Sequence, residues 1–188
     1  MDVEGKKVTD KEIEFDLSGA SIPFANLIRR QAMSSVPVFA IDTVTVYENT
    51  SILFDEYIAN RIGLVPLKSG GPHKEDEEVL FTLEATGPAA IYSRDIKSKD
   101  KDVKVANGDI FLLRLLENQT IRLEGKAVLG TGKKHAKFQA GIAAYSIDKD
   151  KFHFKVESFS QMPAKELLLK AVELVEKTCD DAEKELRG

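Results

Sequence analysis

The chain has 188 residues, of which 27 are Lys or Arg and 31 are Asp or Glu, for a formal charge of −4. Hydrophobic residues make up 43% and charged residues 31%, the balance of a globular protein with one domain or two small ones. Its one cysteine excludes an internal disulfide framework, a four-thiolate zinc site and a cysteine-ligated iron–sulfur cluster, and the acidic total argues against nucleic-acid binding through a global basic field.

The first strand is expected over Val8 to Leu17, where Ile13, Phe15 and Leu17 alternate with Glu12, Glu14 and Asp16. A short helix follows from Pro23 to Ser34, with Ser21 as its N-cap and Pro37 beyond its end. Phe24, Leu27 and Ile28 form its narrow apolar face, and Arg29 and Arg30 point elsewhere. Phe39 to Tyr47 is rich in β-branched residues and reads as a strand. After a turn at Asn49-Thr50-Ser51, a second short helix is expected over Phe54 to Arg61, closed by Gly63.

Ser69-Gly70-Gly71-Pro72 and the acidic run Glu75 to Glu78 mark a loop, followed by a strand from Val79 to Leu83 that Gly87-Pro88 breaks. Ser93 to Gly108 is polar and reads as an exposed excursion. Ile110 to Leu116, Thr120 to Leu129, Gly141 to Ile147 and Lys151 to Phe159 are further strands, the last two joined by a tight turn at Asp148-Lys149-Asp150.

Pro163 to Arg187 predicts one long helix, about 37 Å at 1.5 Å per residue. Leu168, Val172, Val175, Cys179, Ala182 and Leu186 recur at alternating spacings of 4 and 3, a seam of the coiled-coil kind. Cys179 reads as a small buried hydrophobe of that seam rather than a nucleophile. The opposite face carries acid-first i,i+4 pairs, Glu166 with Lys170 and Glu183 with Arg187 among them. Strand, helix, strands and long helix in this order predict an α+β fold with mainly antiparallel pairing.

Catalytic motifs are missing from this pattern. Gly130-Thr131-Gly132-Lys133-Lys134 suggests a phosphate loop, but Ala127 stands where its first glycine belongs and Lys134 where Ser or Thr belongs. His73, His135 and His153 are widely separated and none forms a metal-spaced pair. Asp55-Glu56 suits the positive end of a helix dipole. What the sequence offers is interaction surface. The long helix carries a wide apolar stripe, part of which covers the sheet of its own chain; its distal half either does the same or overhangs a small domain and packs on another subunit.

Three segments resemble the alpha-type subunits of RNA polymerase, and specifically their archaeal and eukaryotic branch. They are Phe24-Ala25-Asn26-Leu27-Ile28-Arg29-Arg30 with Ser34-Ser35-Val36-Pro37, then Ala40 to Val44 with Asn49-Thr50-Ser51 and Asp55 to Leu67, then Gly132 with His135-Ala136-Lys137-Phe138. The resemblance implies a dimerisation domain, residues 1–37 plus 142–188, interrupted by an inserted β-rich domain, residues 38–141. It implies a non-catalytic assembly platform for DNA-templated transcription, paired with a small alpha-like subunit, L. Phe24, Leu27 and Ile28 with Leu168, Val172, Val175, Cys179, Ala182 and Leu186 would form the dimer interface.

Arg29, Arg30, Asp55, Glu56, Arg61, Lys133, Lys134, His135 and Lys137 would contact the second-largest polymerase subunit. Some archaeal relatives carry an extra cysteine-rich segment in the insert. The short Ser93–Gly108 excursion and the single Cys179 resemble the cluster-free form, so no metal or cofactor is expected, nor direct nucleic-acid binding by this chain alone. Met1 to Lys11 hold no apolar h-region and no run approaches about 18 apolar residues, so neither an export signal nor a membrane span is expected, which suits the cytoplasm. Two other readings stay open: an enzymatic or small-molecule-binding domain with Asp55, Glu56 and His135 lining a pocket, and a homodimeric scaffold using the same long helix.

Overall fold

A computed structural model describes residues 1–70 and 76–187, so the expected loop at Gly71, Pro72 and Glu75, and His73 with it, lies outside the described residues. The fold is α+β with antiparallel sheets. The chain divides into two compact units, Met1–Pro37 with Thr131–Gly188, and Val38–Gly130.

The elements in chain order are β1 (Asp2–Val8), β2 (Glu12–Ser18), α1 (Ile22–Ser34), β3 (Val38–Asn49), α2 (Asp55–Gly63), β4 (Leu67–Ser69), β5 (Glu78–Thr86), β6 (Ala89–Tyr92), β7 (Lys97–Ser98), β8 (Val103–Val105), β9 (Phe111–Leu115), β10 (Thr120–Gly130), β11 (Gly141–Asp148), β12 (Lys151–Ser158) and α3 (Ala164–Arg187).

The first unit is a four-stranded sheet, β1-β2-β12-β11, with α1 and α3 packed against it and against each other. Its inner face follows from strand alternation. Ile13, Phe15 and Leu17 of β2 lie opposite Val156, Phe154 and Phe152 of β12, and all six are buried. Phe15 and Phe154 stack with centroids 4.9 Å apart. Gly141 lets the long helix approach this face: a Cβ there would lie 2.3 Å from the Glu157 carbonyl oxygen and 2.6 Å from Leu167 Cδ2. β11 and β12 close a hairpin through Lys149 and Asp150, with Lys149 at φ 53°.

The N-terminal strand departs from the sequence reading. Residues Val8 to Leu17 are not one strand; β1 and β2 form a hairpin instead, and every residue of β1 is exposed. Val-Glu-Gly-Lys-Lys buries neither face, so it carries none of the alternation by which a half-buried strand is read.

The second unit holds the sheet β3-β10-β5-β7, the pairs β4–β8 and β6–β9, and α2. Phe39, Ile41, Phe81, Leu83, Ile121 and Leu123 build its core, and Ile58 and Ile62, one turn apart on α2, join them. The stretch Ser93–Gly108 is not a plain exposed loop. It contains a 3-10 turn over Ser93–Asp95, β7 and β8, and it buries Ile96 and Val103. Two isolated apolar residues in a polar run are too few to read as strands, yet they are enough to pin it down.

Candidate functional site

Both helices of the first unit spend one apolar stripe on their own chain and leave a neighbouring one in solvent. On α1, Ser21 Oγ accepts a hydrogen bond from the Phe24 amide and so starts the helix. Ala25, Ile28 and Ala32 are buried, whereas Phe24 is half-buried and Leu27 is 39% exposed.

On α3, Ala164, Leu167, Ala171 and Val175 are buried. At about 100° per residue they form a single stripe, and Leu168, Val172, Cys179, Ala182 and Leu186 run along its flank. Leu168 is half-buried, Val172 is 42% exposed and Leu186 is 88% exposed. Cys179 is exposed in this chain, not buried as its apolar neighbours suggested, because α3 by residue 176 has passed the part of the unit that covers it. Every residue from Glu176 to Arg187 is exposed. Ile28 and Val175, expected at an intersubunit interface, are only 7% and 8% exposed and belong to the chain's own core.

The basic residues expected to contact another subunit fall into two sets. In the first unit, Arg29 Nε and Nη2 donate to Asn26 Oδ1 at 3.1 and 3.0 Å, which holds the guanidinium along α1, while Arg30 is exposed. The glycine-rich segment docks beside them. The Lys133 amide donates to the Ser34 carbonyl at 3.0 Å, and a Cβ on Gly132 would lie 2.6 Å from the Met33 carbonyl oxygen. Close backbone approach therefore accounts for this glycine without a phosphate. Lys133, Lys134 and His135 are exposed, and the Lys134 and Lys137 ammonium groups lie 5.3 and 5.4 Å from the Phe138 ring centroid.

In the second unit, Asn49 shapes the entry to α2. Its Nδ2 donates to the Leu53 carbonyl at 2.8 Å and to Asp55 Oδ1 at 2.7 Å, and its Oδ1 accepts from the Ser51 amide and hydroxyl. Arg61 donates to the Phe111 carbonyl and lies over the Tyr57 ring. Asp55, Glu56 and Tyr57 are exposed, and Ile52 and Phe54 beside them are 75% and 79% exposed.

Asp55 and Glu56 belong to one unit and His135 to the other. Clefts of about 300, 290 and 260 Å³ are lined by other residues. Among the described residues no group of three or more His, Cys, Asp or Glu could hold a metal ion, and no helix is long and apolar enough to cross a membrane.

One buried polar cluster escaped the sequence reading. Asp16, 5% exposed on the outer side of the first unit's sheet, meets His153 Nδ1 at 2.6 Å and Lys6 Nζ at 2.7 Å. A β-bulge between Gly5 and Lys7 sets Lys6 out of register beside it. These residues are 10 and 137 positions from Asp16, so no local pattern announces them.

Residues 32–149 match the model of the RNA polymerase Rpb3/RpoA insert domain. The chain is 45% identical to the DNA-directed RNA polymerase subunit Rpo3 of Methanocaldococcus jannaschii over 166 residues, 88% of this chain and 85% of the relative. The chain belongs to the alpha-like family of RNA polymerase subunits. Within that family it is also 45% identical to Rpo3 of Thermococcus kodakarensis over 71% of its length, and 40% identical to Rpo3 of Halobacterium salinarum over 76%. It spans only 54% and 58% of those two longer relatives. All three relatives are named as subunits of a DNA-directed RNA polymerase.

Proposed function

We propose that this chain is a non-catalytic assembly subunit of an archaeal-type DNA-directed RNA polymerase. In this reading the first unit is the dimerisation domain and the second is the insert, which ends at Gly130 and not at residue 141 as the resemblance implied. The chain pairs with the small alpha-like subunit L through Leu27 and Phe24 of α1 and the flank of α3 that carries Leu168, Val172, Cys179, Ala182 and Leu186. The pair then docks the second-largest subunit through Arg29, Arg30, the Asp55–Arg61 helix and the Lys133–Lys137 segment. The observation that carries the pairing is the apolar flank of α3, exposed over its whole distal half while the proximal half buries Ala164, Leu167, Ala171 and Val175. An apolar stripe on a charged helix is stable in water chiefly when something covers it.

Val172→Asp with Leu186→Asp tests the pairing without touching the chain's own core, because both side chains are exposed. Light scattering of the chain co-expressed with an archaeal L subunit should give a one-to-one complex for wild type and separate chains for the double variant, with the same circular dichroism for both. A double variant that still pairs normally would remove α3 from the interface. A wild-type chain that ignores L altogether would reject the assembly reading.

A further inference from the structure

The seam on α3 has a charge pattern, and it bears on which helix can cover it. Taking Val172, Cys179 and Leu186 as one core position and Leu168 and Ala182, seven residues either side of the buried Val175, as the other assigns the rest of the heptad. The positions that flank such a core are those that meet a partner helix's charges. Along the exposed half of α3 they hold Glu176, Thr178, Glu183 and Glu185, and no lysine or arginine. Lys170, Lys177 and Lys184 recur every seventh residue on the side turned away from the seam, and Arg187 sits beyond its edge, ion-paired to Glu183. The cations of the helix are thus segregated from its seam, and the acids line it.

We propose that the distal half of α3, Glu176 to Arg187, is built to pair with an apolar helix whose flanking positions are basic, and to reject a second copy of itself. This rests on the reading of α3 as an intersubunit element and specifies the chemistry of its occupant. The physical basis is that an antiparallel self-pair would set glutamates against glutamates, and a parallel one would leave Glu176 and Glu183 facing Ala171 and Thr178 with no cation to answer them. Like charges facing each other across a seam disfavour that partner, and opposite charges favour the other. Cys179 and Ala182 in the middle of the seam are small and allow close approach, which brings the flanking charges within reach of a partner.

Two synthetic helical peptides test this against the full chain. Both carry the same leucine and valine seam over three heptads; one has lysine at every flanking position and the other glutamate. By fluorescence anisotropy in low salt, the lysine peptide should bind about tenfold more tightly than the glutamate peptide, and the difference should vanish at about 1 M salt. The triple variant Glu176→Lys, Glu183→Lys and Glu185→Lys should reverse the preference. Equal binding of the two peptides, tighter binding of the glutamate peptide, or binding of neither would each overturn the proposal. The wild-type comparison alone decides it should the variant not fold. Complex formation with L in light scattering, alongside any of those three results, would leave the pairing itself intact and reject only its charge rule.

Discussion

Asp16 shows how one buried carboxylate organises an edge of the fold. It joins the exposed strand β1 to β12 through Lys6 and His153, and hydrogen bonds from these two partners hold its pKa below the ordinary value. Glu12, on the same outer face, is lowered from 4.5 to about 2 by hydrogen bonds with Glu14, Lys7 and Lys155. A carboxylate with a depressed folded-state pKa contributes stability that is complete above its unfolded value and is lost as pH falls through the folded one. Glu12 therefore stabilises fully above about pH 4.5 and loses that contribution as pH falls toward about 2, and Asp16 loses its own as pH falls through its lowered folded-state value. Asp16→Asn should lower the urea midpoint at pH 7, and its deficit relative to wild type should shrink as the wild type is acidified below the ordinary aspartate range. A deficit that acidification leaves unchanged would assign it to packing instead of charge.

At the scale of the element, α3 does two jobs on two stripes. Leu167 is fully buried against the sheet at Gly141, whereas Val172 one turn along faces solvent. Leu167→Ala should cost about 3 kcal/mol of stability through the cavity it leaves. Val172→Ala should cost under about 0.5 kcal/mol in the free chain, and its effect should appear in pairing with the small subunit. Chemical denaturation of both variants, read beside light scattering, separates the two stripes. Gly141→Ala, which sets a Cβ against the Glu157 carbonyl, should destabilise by about 2 kcal/mol or more.

At the scale of the whole molecule, the sequence of operations in the proposed role is separable by mutation. Arg30 is exposed on α1, one turn beyond Leu27 at the edge of the stripe formed by Phe24 and Leu27. Arg30→Glu should leave the one-to-one complex with L intact and weaken its capture of the second-largest subunit, measured by co-purification. Loss of the L complex in this variant would move Arg30 from the docking surface to the dimer surface.

The spacing of Leu168 to Leu186, the alternation in β2 and β12 and the Ser21 cap were legible in the sequence because each is local. Periodicity and capping depend on neighbours within a few residues, so order along the chain carries them. From these, with the three family-like segments, residue order alone carries the α+β class, the two faces of the long helix and the alpha-like family. It could not say which of two adjacent apolar stripes on α3 the chain keeps for itself, since Val175 and Val172 differ by three residues and not by character. Nor could it place Lys6 and His153 around Asp16, or make a strand of the polar residues Asp2 to Val8. Those were decided only by tertiary structure, because burial, edge pairing and charge contacts join residues that lie far apart in sequence.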